Sequence, residues 1–162
     1  MNRSFRGRIA LAIFAAATAA CEKPPEIAPA ASAGGVIRPS AMIAEFSDVH
    51  VPSEMKAGKT YRASLAVKNA GGGPWPALAP ARTPLRAVRL AYYWYRSDGT
   101  LYKYGERTNL PRDIAAGETI RLDDVTVLAP SDPSGYVIEF DMLQEMVRWF
   151  GTPSARIPVK VN

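Results

Sequence analysis

After residue 40, apolar and polar side chains alternate with a period of two residues in a series of short runs. In the clearest run, 60–69, one side carries Tyr61, Ala63, Leu65 and Val67, and the other carries Arg62, Ser64 and Lys68. Successive side chains of a β-strand point to opposite faces, so this period indicates a strand with one buried face. No stretch after residue 40 shows sustained helical periodicity, and the apolar content of 143–150 favours a strand there as well. The sequence therefore predicts an all-β domain.

The alternation predicts seven to nine strands in total. Besides 60–69, the runs are 43–51, 88–95, 100–104, 120–127, 136–142, 147–149 and 157–161. Turns rich in proline and glycine separate them, and Asp98-Gly99 is a hairpin signal because this pair tolerates positive φ. Many short strands joined by such turns are typical of an antiparallel β-sandwich of the immunoglobulin-like type.

Two of these runs predict which residues face the core. In 88–95, one face would carry Val88, Leu90, Tyr92 and Trp94, with Trp94 as the buried tryptophan of the third strand. In 120–127, the apolar residues change parity after Leu122, and a bulge at Asp123-Asp124 would let both halves face the core. Trp75, between two prolines, is expected to close one end of the sandwich.

The ordered motifs resemble a family of immunoglobulin-like β-sandwich modules of bacterial envelope and secreted proteins, often appended to larger enzymes. The matching segments are 65–71, 74–76, 88–94, 107–118 and 135–150, and the resemblance covers roughly 43–161. A more distant resemblance is to the four-tryptophan domain of autophagy receptors, although this chain has three tryptophans. Met146 stands where the bacterial modules commonly have glycine, and Gln144 and Glu145 are expected to bind the backbone of the following hairpin. The resemblance implies an accessory binding module and supplies no catalytic residue.

The N-terminus reads as an export signal that ends at a lipidated cysteine. Three arginines in the first eight residues precede an uncharged run at 9–20, too short to cross a bilayer as a helix. Thr18-Ala19-Ala20-Cys21 then resembles the lipobox of bacterial lipoproteins, with Thr18 where leucine is usual. The predicted organisation is a signal peptide at 1–20, a flexible tether rich in proline and alanine at 21–40, and the sandwich at 41–162.

Two alternatives to lipidation remain open. An ordinary signal peptidase would also accept Thr18-Ala19-Ala20, and a later cut within 28–33 is conceivable. Cys21 is nevertheless the only cysteine, so it cannot form an internal disulfide, and acylation explains an odd thiol in an exported protein. The expected location is the bacterial cell envelope, and Glu22 favours the outer membrane facing the periplasm.

Charge and residue types argue against nucleic-acid binding, metal chemistry and catalysis. Loss of the signal removes Arg3, Arg6 and Arg8 and no acid, which lowers the formal charge from +5 to +2. A near-neutral domain lacks the dense basic face of a nucleic-acid binder. His50 is the only histidine, so we expect no metal cluster, catalytic triad or cofactor. Asp123 and Asp124 lack a ligand-rich calcium loop. Glu139 and Asp141 would lie on an outward face about 7 Å apart, a common spacing on any polar strand.

The tyrosines are the candidate binding residues. Tyr93 and Tyr95 point away from Trp94, and Tyr102 and Tyr104 are expected across the hairpin from them. Four tyrosines on one sheet face would form a flat amphipathic platform for sugar rings or a partner protein. The alternative is that they pair across strands and only stabilise the sheet, partly covered by the 82–86 loop.

The predicted function is therefore a non-enzymatic, lipid-anchored envelope protein that binds another envelope protein or a polymer. A glycan-binding module and a structural subunit of an export or assembly machine are the alternatives.

Overall fold

The computed structural model describes residues 35–77 and 86–162, which form an immunoglobulin-like β-sandwich. A short 3-10 helix, Pro39–Ala41, precedes ten strands in this part of the chain. The strands are β1 (Ala44–His50), β2 (Glu54–Met55), β3 (Thr60–Asn69), β4 (Val88–Arg96), β5 (Leu101–Tyr104), β6 (Thr108–Asn109), β7 (Thr119–Leu128), β8 (Ser134–Gln144), β9 (Arg148–Trp149) and β10 (Ile157–Val161). The predicted fold class is confirmed, and ten strands form instead of seven to nine because β2 and β6, each two residues long, are too short to show an alternating run in the sequence. The predicted signal peptide, Cys21 and the 78–85 segment lie outside the described residues.

The strands form two sheets. The smaller sheet has the order β1-β3-β7, and the main path of the larger sheet is β2-β10-β8-β4-β5, with β6 added to β4 and β9 added to β8. All pairs are antiparallel except β2 with β10. Within the described residues, no helix has the length and hydropathy needed to cross a bilayer.

The core lies between the two sheets, where the alternating apolar residues meet. The predicted inner face of β4 is confirmed: Val88, Leu90, Tyr92 and Trp94 are at most 1% exposed. They face the equally buried Leu65 and Val67 of β3. Burial of apolar surface on this scale is the main driving force of such a fold.

The predicted bulge in β7 is confirmed by the register. Ala63 pairs with Val125, whereas Leu65 pairs with Leu122, so Asp123 and Asp124 together oppose Ser64. The extra residue restores the parity of the strand. As a result, the apolar residues on both sides of the bulge are buried: Ile120, Leu122, Val125 and Val127.

Trp75 is fully buried beneath the N-terminal segment. Its indole Nε1–H donates a hydrogen bond of 2.7 Å to the Ala41 carbonyl oxygen. Its ring meets Phe150 edge-on, with 5.2 Å between the ring centroids. The indole thus satisfies its single donor while filling the core, as a buried tryptophan must.

The 143–150 stretch is a hairpin, which agrees with the strand prediction, but its side-chain bonds differ from expectation. The Gln144 amide donates to the carbonyl oxygens of Gly35 and Arg86 and accepts from the Ile37 N–H. The expectation that Gln144 and Glu145 bind the hairpin backbone is therefore wrong, since Glu145 forms ion pairs and Gln144 binds other segments. Met146 has a φ of 57°, a conformation that glycine adopts more easily than methionine does.

These bonds extend the folded region toward the N-terminus. Residues 35–40, assigned to the tether from composition, contact the sandwich through Gly35 and Ile37. The reason is that Gln144 is fully buried, and a buried amide must find hydrogen-bond partners. The Ile37 side chain adds apolar contact with the core.

Candidate functional site

A cluster of aromatic rings covers the outer face of the larger sheet. Tyr93 and Tyr95 project there because their neighbours Tyr92 and Trp94 point into the core. Their ring centroids are 6.0 Å apart. Both rings are partly exposed, so this face is accessible from solvent.

Tyr104 and Trp149 complete the cluster. Tyr104, opposite Tyr93 on β5, has its ring centroid 5.4 Å from that of Tyr93 and is 53% exposed. The Trp149 ring lies 4.5 Å from Tyr93 and 6.0 Å from Tyr104, at only 26° to the Tyr104 plane. We call Tyr93, Tyr95, Tyr104 and Trp149 the aromatic face.

Trp149 reaches this face by crossing a strand. Leu143 of β8 pairs with Arg89 of β4 on one side and with Trp149 of β9 on the other. The Trp149 ring must therefore pass over β8 to contact Tyr93, and the two ring planes are tilted by 38°. Sequence reasoning placed Trp149 in a strand but missed this role, because the side that β9 presents depends on the turn at Met146.

Tyr102 does not belong to the aromatic face. The prediction that it shares a sheet face with Tyr93, Tyr95 and Tyr104 is therefore wrong. The β4–β5 register shifts by one residue: Trp94 pairs with Lys103, but Tyr95 pairs with Leu101. Tyr102 is the extra residue and packs on the core side, its ring centroid 5.1 Å from that of Tyr136. Its hydroxyl donates to the Asp132 carboxylate at 3.1 Å.

Two arginines pack on the rings of the aromatic face. The Arg107 guanidinium carbon lies 4.9 Å from the Trp149 ring centroid, and that of Arg156 lies 4.4 Å from the Tyr95 ring centroid. Each also approaches an acid, since Arg107 Nε is 3.5 Å from Glu145 and Arg156 Nε is 2.8 Å from Glu139. Both contacts fall within the range in which a cation is attracted to a ring face.

Glu139 and Asp141 lie under this face and are buried, which corrects the expectation of an exposed polar strand face. They are 7% and 2% exposed. The reason is long-range, because β9 and the segment that follows it return over β8. Asp141 accepts hydrogen bonds from the Met142 and Gly151 N–H groups at 2.8 and 3.0 Å. Glu139 accepts from Arg156 and, at 3.3 Å, from the Tyr95 hydroxyl.

Burial shifts the pKa values of Asp141, Tyr93 and Tyr95. Desolvation raises the pKa of Asp141 to about 6, although three backbone N–H groups act in the opposite direction. Desolvation also raises the pKa of the Tyr93 hydroxyl, and the nearby Asp141 carboxylate adds to this effect. The pKa of Tyr95 is raised by burial and then by Glu139. Both tyrosines are therefore neutral hydrogen-bonding groups at neutral pH.

Asp123 and Asp124, considered above as possible calcium ligands, form ion pairs within the domain. Asp123 pairs with Arg121 at 2.6 Å and Asp124 with Arg62 at 3.0 Å, on the outer side of the smaller sheet. His50 borders an open groove with Pro52, Ser64 and Asp123. Over 35–77 and 86–162, no group of three or more His, Cys, Asp or Glu side chains is placed to hold a metal ion.

No family model and no curated protein matches this chain. Among solved structures, it is similar to the CARDB domain of a Pyrococcus furiosus protein solved with di-metal ions, at 19% identity over 74% of this chain and 86% of that one (TM-score 0.40). The C-terminal domain of Wzt matches at 13% identity over 74% and 73% of the two chains (TM-score 0.46). A PapD-like domain of human CEP192 matches at 10% identity over 85% and 96% (TM-score 0.29).

Proposed function

We propose that this chain is a lipid-anchored protein of the bacterial cell envelope whose non-catalytic β-sandwich binds another envelope component, a protein or a polymer. The observation that carries the proposal is the aromatic face, a set of four partly exposed rings gathered on one sheet. Tyrosine and tryptophan combine a large apolar area with one polar group, which is why they are enriched at binding surfaces.

Ring contacts within the face stabilise the sheet, but they leave surface for a partner. Cross-strand aromatic pairs contribute roughly 0.2–1 kcal/mol each. Tyr104 keeps 53% of its surface in solvent while it contacts Tyr93 and Trp149. A partner that covered this ring would gain about 25 cal/mol for each Å² of apolar area removed from water. The rings are also held in place beforehand, which lowers the entropic cost of binding.

We propose no catalytic role because the carboxylates of Glu139 and Asp141 are engaged in hydrogen bonds within the domain. Both Asp141 oxygens accept backbone N–H groups, and Glu139 is held between Arg156 and Tyr95. A pair of carboxylates engaged in this way is suited to fixing the hairpin and the rings rather than to acid–base exchange with a substrate.

The anchor is proposed from the N-terminal sequence. The basic start, the short apolar run and Thr18-Ala19-Ala20-Cys21 support acylation of Cys21, and several acyl chains together give stable membrane attachment. Mass spectrometry of the exported protein tests this. We expect a mature chain that begins at acylated Cys21, and a Cys21→Ser variant that leaves the membrane fraction. A start site beyond Cys21, or an unmodified thiol, would contradict the anchor.

Photo-crosslinking in intact cells tests the binding role. A photoreactive amino acid at position 104 would report contacts of the aromatic face, and one at exposed Ser47, on the smaller sheet, is the matched control. We expect a crosslinked product from position 104 that Trp149→Ala weakens, and none of the same size from position 47. Equal products from both positions, or none from position 104, would remove the proposal.

A further inference from the structure

The two arginines that pack on the aromatic face contact rings at opposite ends of it. Arg156 contacts Tyr95, near the C-terminal end of β4, whereas Arg107 contacts Trp149 and pairs with Glu145, which also binds Arg89 near the start of β4. The contacts that join Arg107 to Trp149, Trp149 to Tyr93, Tyr93 to Tyr95 and Tyr95 to Arg156 are 4.9, 4.5, 6.0 and 4.4 Å long, so the two guanidinium carbons are at most about 20 Å apart. Planar rings fill the interval, and a planar guanidinium ends it on each side.

The charge that this face shows to solvent is positive. The side chains of Arg156 and Arg107 are 54% and 29% exposed, whereas those of their partners Glu139 and Glu145 are 9% and 17% exposed. Asp141 is deeper still, at 2% exposure. A ligand that reaches the rings therefore meets two guanidinium groups before it meets a carboxylate.

This inference rests on the proposed function and narrows its ligand: we propose that the aromatic face binds an acidic polysaccharide. The apolar faces of sugar rings stack on Tyr93, Tyr104 and Trp149, while carboxylate or sulfate groups of the polymer bind Arg107 and Arg156. A guanidinium presents a rigid fork of donors that matches such oxyanions in a bidentate way. The rings and the two guanidinium groups follow one another as successive contacts, an arrangement that suits a chain of sugars rather than a single ring.

The geometry favours a glycan over an acidic peptide. A peptide with carboxylates would satisfy the arginines but would leave the flat rings of Tyr104 and Trp149 without flat partners. A sugar chain supplies both features along one axis, a ring face and an acidic group at regular spacing. A neutral glycan would stack on the rings but would offer no anion to the solvent-facing sides of the two guanidinium groups.

Calorimetric titration of the purified full chain tests the inference with three polymers: polygalacturonate, neutral dextran and poly-L-glutamate. We expect polygalacturonate to bind, and to bind more weakly as salt is raised, because exposed charge interactions are screened. Arg107→Gln with Arg156→Gln should weaken binding about tenfold or more, the loss that follows from removing a charge-assisted hydrogen bond. The control is Arg62→Gln with Arg121→Gln, two arginines paired with aspartates on the other sheet, which should leave binding unchanged.

Each other outcome overturns the inference in a recognisable way. Equal binding of dextran would show that charge plays no part, and equal binding of poly-L-glutamate would show that the rings play none. No binding of polygalacturonate by the wild-type chain would remove the glycan altogether, and this arm needs no variant to fold. Photo-crosslinks from position 104 to a protein, together with such a negative titration, would keep the proposed function and refute only this inference.

Discussion

The buried Asp141 gives the structure a stability effect whose sign is unusual for a carboxylate. Its pKa is raised from 3.8 to about 6 by burial, so the folded chain binds this proton more tightly than the unfolded chain does. A difference of one pH unit in pKa corresponds to about 1.4 kcal/mol. Ionisation of Asp141 therefore costs the folded state roughly 2–3 kcal/mol at neutral pH, and this cost disappears as the pH falls through 6 toward 4.

Asp141→Asn keeps the shape of the side chain and removes its ionisable group. Urea unfolding of the wild type and the variant, at pH 7.5 and at pH 4.5, measures the effect. The variant should lose some free energy of unfolding because its bond to the Gly151 N–H is altered, and this loss should be the same at both pH values. We expect the wild-type unfolding free energy, relative to that of the variant, to rise by about 2 kcal/mol when the pH is lowered.

The comparison with the variant removes the effects of other groups. The pKa values of Asp98 and Glu118 are lowered by hydrogen bonds to Thr100 and Arg112, so these carboxylates favour the folded state less at acidic pH. They do so equally in both proteins. If the difference between the two proteins stays flat or falls at pH 4.5, the backbone N–H bonds outweigh desolvation and the reasoning is refuted.

Two further predictions concern packing and the N-terminal segment. In Gly105→Ala, the added Cβ would lie 2.1–2.3 Å from ring atoms of buried Tyr92, so urea unfolding should show that the protein loses about 1–3 kcal/mol of stability or more. Gly135→Ala is the control because open space surrounds Gly135, and equal losses in the two variants would contradict the close contact. In Gln144→Ala, the Ile37 N–H loses its acceptor, so hydrogen exchange at residue 37 should become faster and the free energy of unfolding should fall by about 2–3 kcal/mol. Unchanged protection from exchange at residue 37 would show that this bond does not hold the N-terminal segment.

The inner faces of the sandwich could be predicted because they depend on local parity alone. β3 and β4 alternate strictly, and in β7 the change of parity itself required a bulge near Asp123. A one-residue change of register reverses the face of every later side chain, so these patterns leave few alternatives.

The candidate site was less predictable because it depends on neighbours and turns. Tyr102 left the expected face through a register shift of one residue in a four-residue strand. Trp149 joined it because its ring crosses β8 from a two-residue strand. Asp141 became buried because the chain after Phe150 returns to donate the Gly151 N–H. None of these events leaves a periodic signal in the sequence.

The most direct test of the aromatic face uses its tryptophan as a reporter. Trp75 and Trp94 are at most 1% exposed, whereas Trp149 is partly exposed on the face. With 5-fluorotryptophan in all three positions, and with Trp149→Phe to assign the resonances, fluorine NMR can follow the full chain as isolated envelope fraction is added. We predict that the Trp149 resonance alone shifts or broadens. Binding of the protein to that fraction with an unchanged Trp149 resonance would contradict it.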